Sequence, residues 1–415
     1  MPRINPIAIL CLLLTALGIG ASRAAEPITI GFSAALTGPL AVNGKPYLMA
    51  MQIWEEDVNA KGGLLGRPVK LVYYDDQSNP GNVPTIYSKL IEVDKVDLLV
   101  GTATNLLAAS LPIAMQHNKL LMGLLATGIN DEYKYPKYFS MNPVGPDAKP
   151  ALTRGFFQLA VEQKPKPETV AIISSDAEYG KNCLEGARAN AADAKLKIVF
   201  DRTYPPGGAT DMTPVVRSVQ AANPDLLVVC SYPLESVAII RAVSEIGYAP
   251  KMIGGGMVGP QLTPLKQQLG PLLNGIMTFD IWLPTKAMQF PGVMEMLAKY
   301  QARAPSMGTD LLGYYIPPFA YANIQALGRA VAATGTLDND KLAQYLHTAT
   351  VDTVIGPVAY GPVGEWRTER MLQVQYHDIK SNSLDELKDM GKVTILAPSQ
   401  FKSGSLIYPY ADAKK

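Results

Sequence analysis

The sequence predicts an α/β protein of two lobes, each built on a parallel sheet with helices on both faces. Three observations carry this. Short β-branched runs alternate with helical patterns from Ile28 onward, the series runs through twice, and 415 residues exceed what one hydrophobic core usually holds.

The first residues are read as a segment outside the fold. Arg3 precedes an apolar run over 7–17, and the small residues Gly18, Gly20, Ala21 and Ser22 lead to Ala24 and Ala25. This is the layout of a secretory signal, with Ser22-Arg23-Ala24 as a small-x-small cleavage site and a mature start at Ala25. Cys11 lies within the apolar run and does not look like a lipid-attachment cysteine. No later stretch approaches ~20 uninterrupted apolar residues, so an exported, soluble protein is expected. Without Arg3 and Arg23 the mature chain carries 35 basic against 36 acidic residues, which leaves no electrostatic footprint for nucleic acid or an anionic membrane.

Strands are expected at 28–33, 69–74, 97–100, 119–123, 170–174, 197–201, 226–230, 251–254 and 275–279. Between the first two, Tyr47, Met51, Trp54 and Val58 fall on one helical stripe, and Gly62-Gly63 closes that helix. The first series covers about 26–143; the second starts near Asp147, after a cluster of Pro143, Pro146 and Pro150, and runs to about 282. A third, helical part follows over 291–350, with a long pattern from Asp310 through Ala333. Beyond Ser381, a strand returning to the second lobe and a packed tail are expected. Parallel sheets bind ligands at the carboxyl ends of their strands, and a cleft between two lobes suits a small molecule.

Catalytic signatures are sparse. His117, His347 and His377 are far apart and in no metal-binding spacing, and no G-x-S-x-G elbow occurs. Asp75-Asp76 is read as a strand end capping the turn at 78–81 rather than an acid–base pair. Cys183 and Cys230, the two cysteines after the signal, are expected as buried thiols rather than a bridge. The glycines of MIGGGMVG (252–259) lack the Lys-Ser/Thr of a phosphate loop and come too late for a dinucleotide fingerprint, so they are read as a bare strand end against which something bulky can lie.

The stretches ITIGFSAALTGPLAVNG, VNAKGGLLGRPVKLVYYDDQSNPGNVPTIYSKLI and VDLLVGTAT, followed in order by DAEYGKN, PPGGATDMTPVVRSVQAANPDLLVV, IRAVSEIGY and FAYANIQAL, resemble the leucine/isoleucine/valine-binding family of periplasmic solute receptors. The resemblance spans nearly the whole mature chain. It implies the type I periplasmic binding fold, with a hinge of three crossover strands and lobes at 25–143 plus 285–352 and at 144–284 plus 353–415. It also implies a periplasmic, monomeric protein that closes on a small carboxylate, has no cofactor or metal, and hands its ligand to an inner-membrane ABC permease.

The resemblance places ligand contacts at Asn43, at Thr104 and Asn105, at Thr127 and Gly128, and at the aromatic positions Tyr179 and Tyr232. Thr104 and Thr127 have helix and turn capping as their other reading, and the two tyrosines have core packing. Gly256, with Met257 beside it, stands where amino-acid-binding members usually carry a glutamate for the ligand's ammonium group. A buried ammonium without that partner is costly, which points to an aromatic or hydrophobic acid, with Trp282 and Tyr314 or Tyr315 as further aromatic surface. Alternatively Asp280, Glu235 or Asp176 supplies the charge and the ligand is an ordinary amino acid. A periplasmic sensor subunit and, less well supported, a periplasmic hydrolase or amidase are the competing functions. A repressor of similar architecture is disfavoured, since its DNA-binding segment would stand where the signal lies.

Overall fold

A computed structural model describes residues 26–207 and 211–414, so the expected signal segment lies outside the described residues. The first lobe's strands are β1 (Ile28–Ala34), β2 (Val69–Asp75), β3 (Leu98–Thr102), β4 (Leu121–Leu124) and β5 (Tyr138–Ser140), all parallel in the order β2-β1-β3-β4-β5. The inner strands are apolar runs because helices cover both faces, whereas edge strand β2 alternates toward solvent. Helices α1 (Ala41–Asn59), α2 (Val83–Glu92) and α3 (Thr104–Gln116) connect them. Tyr47, Met51 and Trp54 face inward from α1, as their spacing predicts, and Asn59 at its end bonds both the amide and the carbonyl of Val69 at 2.7 and 2.8 Å. That pair of bonds gives the Asn-Ala-Lys-Gly-Gly turn a physical purpose: it seats the helix end on β2.

The second lobe is wound the same way. Helices α4 (Ala148–Val161), α5 (Glu178–Asp193), α6 (Thr213–Ala221), α7 (Pro233–Glu245) and α8 (Thr263–Leu269) alternate with β6 (Thr169–Ser175), β7 (Lys197–Tyr204), β8 (Leu226–Ser231), β9 (Met252–Met257) and β10 (Met277–Asp280). The chain then returns to the first lobe as α9 (Val293–Met307), α10 (Ile316–Thr334), α11 (Asn339–Thr348) and the hairpin β11 (Thr350–Thr353) and β12 (Gly356–Ala359). The long helix expected from Asp310 starts only at Ile316. Asp310 is instead a turn residue, its carboxylate accepting from the amides of Leu312, Gly313 and Thr263.

Finally β13 (Leu372–Tyr376), α12 (Leu384–Lys388) and β14 (Val393–Ala397) extend the second sheet to β14-β13-β10-β9-β8-β6-β7, with β13 and β14 antiparallel. The tail packs under it: Tyr410 is buried and its amide bonds Lys251 O at 2.8 Å. Three segments join the sheets, those after β5, after β10 and after β12. Two of them touch where Arg370 N bonds Pro143 O at 2.8 Å. One large apolar cluster runs through both lobes, and a smaller one lies beneath α2 and α3.

Candidate functional site

Both parallel sheets reverse strand order beside one strand, β1 in the first and β6 in the second. Loops leaving such a pair diverge to opposite faces and open a crevice at the carboxyl ends. The two crevices face each other across a cavity of about 440 Å3, within the range that holds a small molecule. Its walls are the residues following β1, β2 and β3 (Pro39, Leu40, Ser78, Pro80, Asn105) and those following β6, β7 and β8 (Ala177, Glu178, Gly207, Tyr232, Glu235). Among the described residues no lysine, arginine or histidine lines it.

The first-lobe wall is organised by Asp75 at the end of β2. Its carboxylate accepts from Leu36 N at 3.0 Å, Thr37 Oγ1 at 2.7 Å and Gln77 N at 2.8 Å, while Ser78 Oγ donates to Thr37 O at 2.7 Å and accepts from Leu40 N at 3.0 Å. Asp75 therefore pins one loop to the next, as its reading as a strand-end cap requires. Beside it, α3 starts without a side-chain cap. The first intrahelical bond runs from Leu107 N to Ala103 O, so the amides of Thr104, Asn105 and Leu106 precede the ladder at the positive end of the helix dipole. Ala103 has φ of 65°, and Leu125 after β4 has φ of 53°. Non-glycine residues are strained there, and such strain collects at ligand sites. Asn105 Oδ1 is buried without a partner. An uncapped helix end, strained neighbours and an orphaned acceptor together make a place for a carboxylate and a donor group.

The second-lobe wall rests on Glu235, in the first turn of α7. Its Oε1 accepts from Ser175 Oγ at 3.0 Å and Gly207 N at 3.4 Å, and its Oε2 from Tyr232 N at 3.0 Å and Tyr204 Oη at 3.3 Å. Burial raises its pKa against the lowering effect of these donors. Tyr232 stands on the cavity and its Oη accepts from Tyr179 N at 3.2 Å; the two rings meet edge to face at 5.6 Å.

Of the residues expected from sequence, Asn105 and Tyr232 line the cavity. Asn43 lies in the first turn of α1 rather than in a loop, with Oδ1 buried and unpartnered. Thr104 is buried and bonds Leu125 O at 3.4 Å. Thr127 accepts from Asn142 Nδ2 at 3.3 Å through its hydroxyl and from Asn182 Nδ2 of α5 at 2.8 Å through its carbonyl, which ties the lobes together. Gly128, with φ of 66°, turns the chain against Lys149 and Asp131. Trp282 is fully buried, its indole N–H on Met288 O at 2.9 Å and its ring edge-on to Tyr314. Tyr315 is buried at the start of α10. Asp176 is exposed and pairs with Lys181, and Asp280 is buried away from the cavity, its pKa pushed up to about 6 by burial. The apolar rim of Pro39, Leu40, Pro80, Pro206, Pro233 and Leu234 was not singled out from sequence. Its signal is positional: each residue lies in the loop or the first helical turn just past a strand's carboxyl end.

Two expectations are corrected, one about the glycines and one about the cysteines. Gly254, Gly255 and Gly256 lie within β9, paired to β8 and buried, and not at a bare strand end. Cys183 and Cys230 form a disulfide, with Cα atoms 5.8 Å apart. A Cβ on Gly254 would lie 1.9 Å from Met277 O, and one on Gly256 would lie 2.3 Å from Cys183 Sγ. The glycines make room for the neighbouring strand and the disulfide. Met257 is wholly buried, its carbonyl accepting from Gln261 Nε2 and Thr278 Oγ1, both at 2.8 Å.

Residues 27–376 match the family described as periplasmic binding protein. A Leu/Ile/Val-binding protein homolog 7 from Brucella suis is 26% identical over 328 residues, 74% of this chain and 79% of the relative. Among solved structures, a branched-chain amino acid transporter substrate binding protein from Streptococcus pneumoniae in complex with isoleucine superposes with a TM-score of 0.72 at 18% identity, covering 92% of this chain and 100% of the other. A solute binding protein of an ABC transporter from Rhodopseudomonas palustris in complex with 3,4-dihydroxybenzoic acid superposes with 0.71 at 18% identity, covering 86% and 94%. These relatives are solute-binding proteins and not enzymes. The match over most of its length places this chain in the periplasmic binding protein family, as a binding protein and not an enzyme.

Proposed function

We propose that this chain is the exported receptor of a branched-chain-amino-acid-type ABC importer, and that it closes on a small carboxylate with an aromatic or otherwise hydrophobic body. The observation that carries the ligand class is the state of Glu235. This buried acid at the cavity has both oxygens engaged by four protein donors, which leaves no lone pair directed at an α-ammonium group. Glu178, the other acid there among the described residues, is exposed, where an ion pair contributes little. The uncapped start of α3 takes the carboxylate, Asn105 accepts from a donor on the ligand, and the proline and leucine rim with Tyr232 covers the apolar body. The fold does not choose between ligand classes, since its relatives carry isoleucine in one case and a dihydroxybenzoate in another.

The receptor acts as a monomer in the periplasm. Lobes of residues 25–143 plus 285–352 and 144–284 plus 353–415 close about the three connecting segments, the ligand stabilises the closed form, and the inner-membrane permease recognises that form. Thermal shift with two panels, amino acids and benzoate-like acids, tests the reading. At a hundredfold excess over Kd a ligand stabilises by about 2.7 kcal/mol, a shift of several degrees. Shifts with the aromatic acids alone are expected; a shift with leucine or another amino acid would overturn the ligand class.

A further inference from the structure

The Cys183–Cys230 disulfide lies directly behind the tyrosine wall of the cleft. Cys183 is four residues after Tyr179 on α5, one turn along the same helix face, and Cys230 is two residues before Tyr232 at the end of β8. The bond therefore links the two elements that carry these tyrosines. β9 runs alongside, with Gly256 in register with Cys230. A side chain at 256 would begin 2.3 Å from Cys183 Sγ, 3.3 Å from Tyr179 Oη and 3.5 Å from Cys230 Sγ. The backbone there is not left-handed, so space alone excludes a side chain. Tyr179 Oη donates to Gly256 O at 3.0 Å, and Tyr179 N donates to Tyr232 Oη at 3.2 Å. A continuous set of contacts thus runs from the sulfurs through Gly256 and Tyr179 to the phenol on the cavity.

We propose that the Cys183–Cys230 disulfide is a positioning element of the ligand cleft, holding α5 and β8 at the separation that sets Tyr179 and Tyr232. This rests on the reading of the cavity as the ligand site. A disulfide acting only as a crosslink would stabilise the lobe and leave binding by the folded protein unchanged. A positioning disulfide changes affinity at temperatures where every molecule is folded. Both sulfurs are fully buried, so alanine at each leaves space beside Gly256 that the wild-type protein fills.

The test compares the mature protein with C183A/C230A, each with and without G256A. Gly256→Ala should lower the melting temperature by several degrees in the wild-type background and have little effect in C183A/C230A; an equal loss in both would overturn the contact set. Titration with 4-hydroxybenzoate and with leucine at 15 °C should show whichever probe binds the wild type binding C183A/C230A at least tenfold more weakly, while an unchanged Kd in fully folded protein overturns the proposal. Failure of both probes to bind the wild type counts against the ligand reading. The decision then falls to tyrosine ring NMR signals, assigned with Y179F and Y232F: Tyr179 and Tyr232 signals displaced in C183A/C230A support positioning, and unmoved signals refute it.

Discussion

Tyr179 and Gly256 are joined by a 3.0 Å hydrogen bond from phenol to main-chain carbonyl, the point at which α5 grips the glycine strand. Burial holds this phenol neutral by raising its pKa well above the ordinary value, so it remains a donor throughout the physiological range. Tyr179→Phe keeps the ring and leaves a buried carbonyl without its donor. It should cost about 1–2 kcal/mol, read as a lower urea midpoint at unchanged slope.

Asn182 donates from α5 to Thr127 O at 2.8 Å, a bond that bridges the cleft between the lobes. Asn182→Ala removes about 1 kcal/mol from the closed form and little from the open one. Affinity for the acid giving the largest thermal shift should fall about fivefold, since 1.4 kcal/mol is tenfold. Scattering from the ligand-free variant should show a larger radius of gyration. An unchanged radius and Kd would mean that other contacts hold the lobes shut.

Glu365, on the segment between β12 and β13, is fully buried. Burial pushes its pKa up to about 8 against the lowering effect of donors on Ser140 and Gly128, with the charge of Asp131 adding a smaller upward push. The folded state thus binds a proton that the unfolded chain releases above about pH 4.5, and the slope of unfolding free energy against pH is negative between those values. The stability its neutral form contributes is fully present below about 4.5 and is lost as pH rises through about 8. Wild-type stability should therefore decline by about 1 kcal/mol per pH unit more steeply than that of Glu365→Gln, which carries the neutral shape at every pH. Parallel stability profiles for the two proteins between pH 5 and 8 would refute this.

What the sequence made legible follows from what local patterns encode. All nine expected strands appear because the inner ones are apolar runs covered on both faces and the edge strands β2 and β7 carry β-branched or aromatic residues between polar ones, both properties of consecutive residues. The strands after Trp366 were harder to place because β13 carries Gln373 and Gln375 as buried residues, and no periodicity identifies a polar strand paired antiparallel to β10. Asn105 and Tyr232 were reachable through family resemblance, whereas the rim around Leu40 required knowing which strand each sheet winds away from. The disulfide was illegible for the same kind of reason. Its cysteines are 47 residues apart, and only the packing of α5 on β8 brings them together. The glycines were read as a bare strand end open to a ligand, whereas they lie inside β9 and make room for sulfur and a neighbouring strand.

Asn105 separates a ligand contact from a packing residue. Its Oδ1 is buried at the cavity with no protein partner, so the folded protein without ligand already carries the cost of a desolvated acceptor. Removing that acceptor should leave stability unchanged or slightly higher, the reverse of what happens when a satisfied polar group is deleted. A ligand that donates to Asn105 loses its partner at the same time. Asn105→Ala should therefore melt no lower than the wild type and bind at least tenfold more weakly, with Asn105→Asp weaker still because a second carboxylate would face the ligand's own. Calorimetric titration beside melting curves measures both quantities on one sample. A variant that melts lower and binds normally would identify Asn105 as structural, and would move the carboxylate from the start of α3 to another part of the cleft.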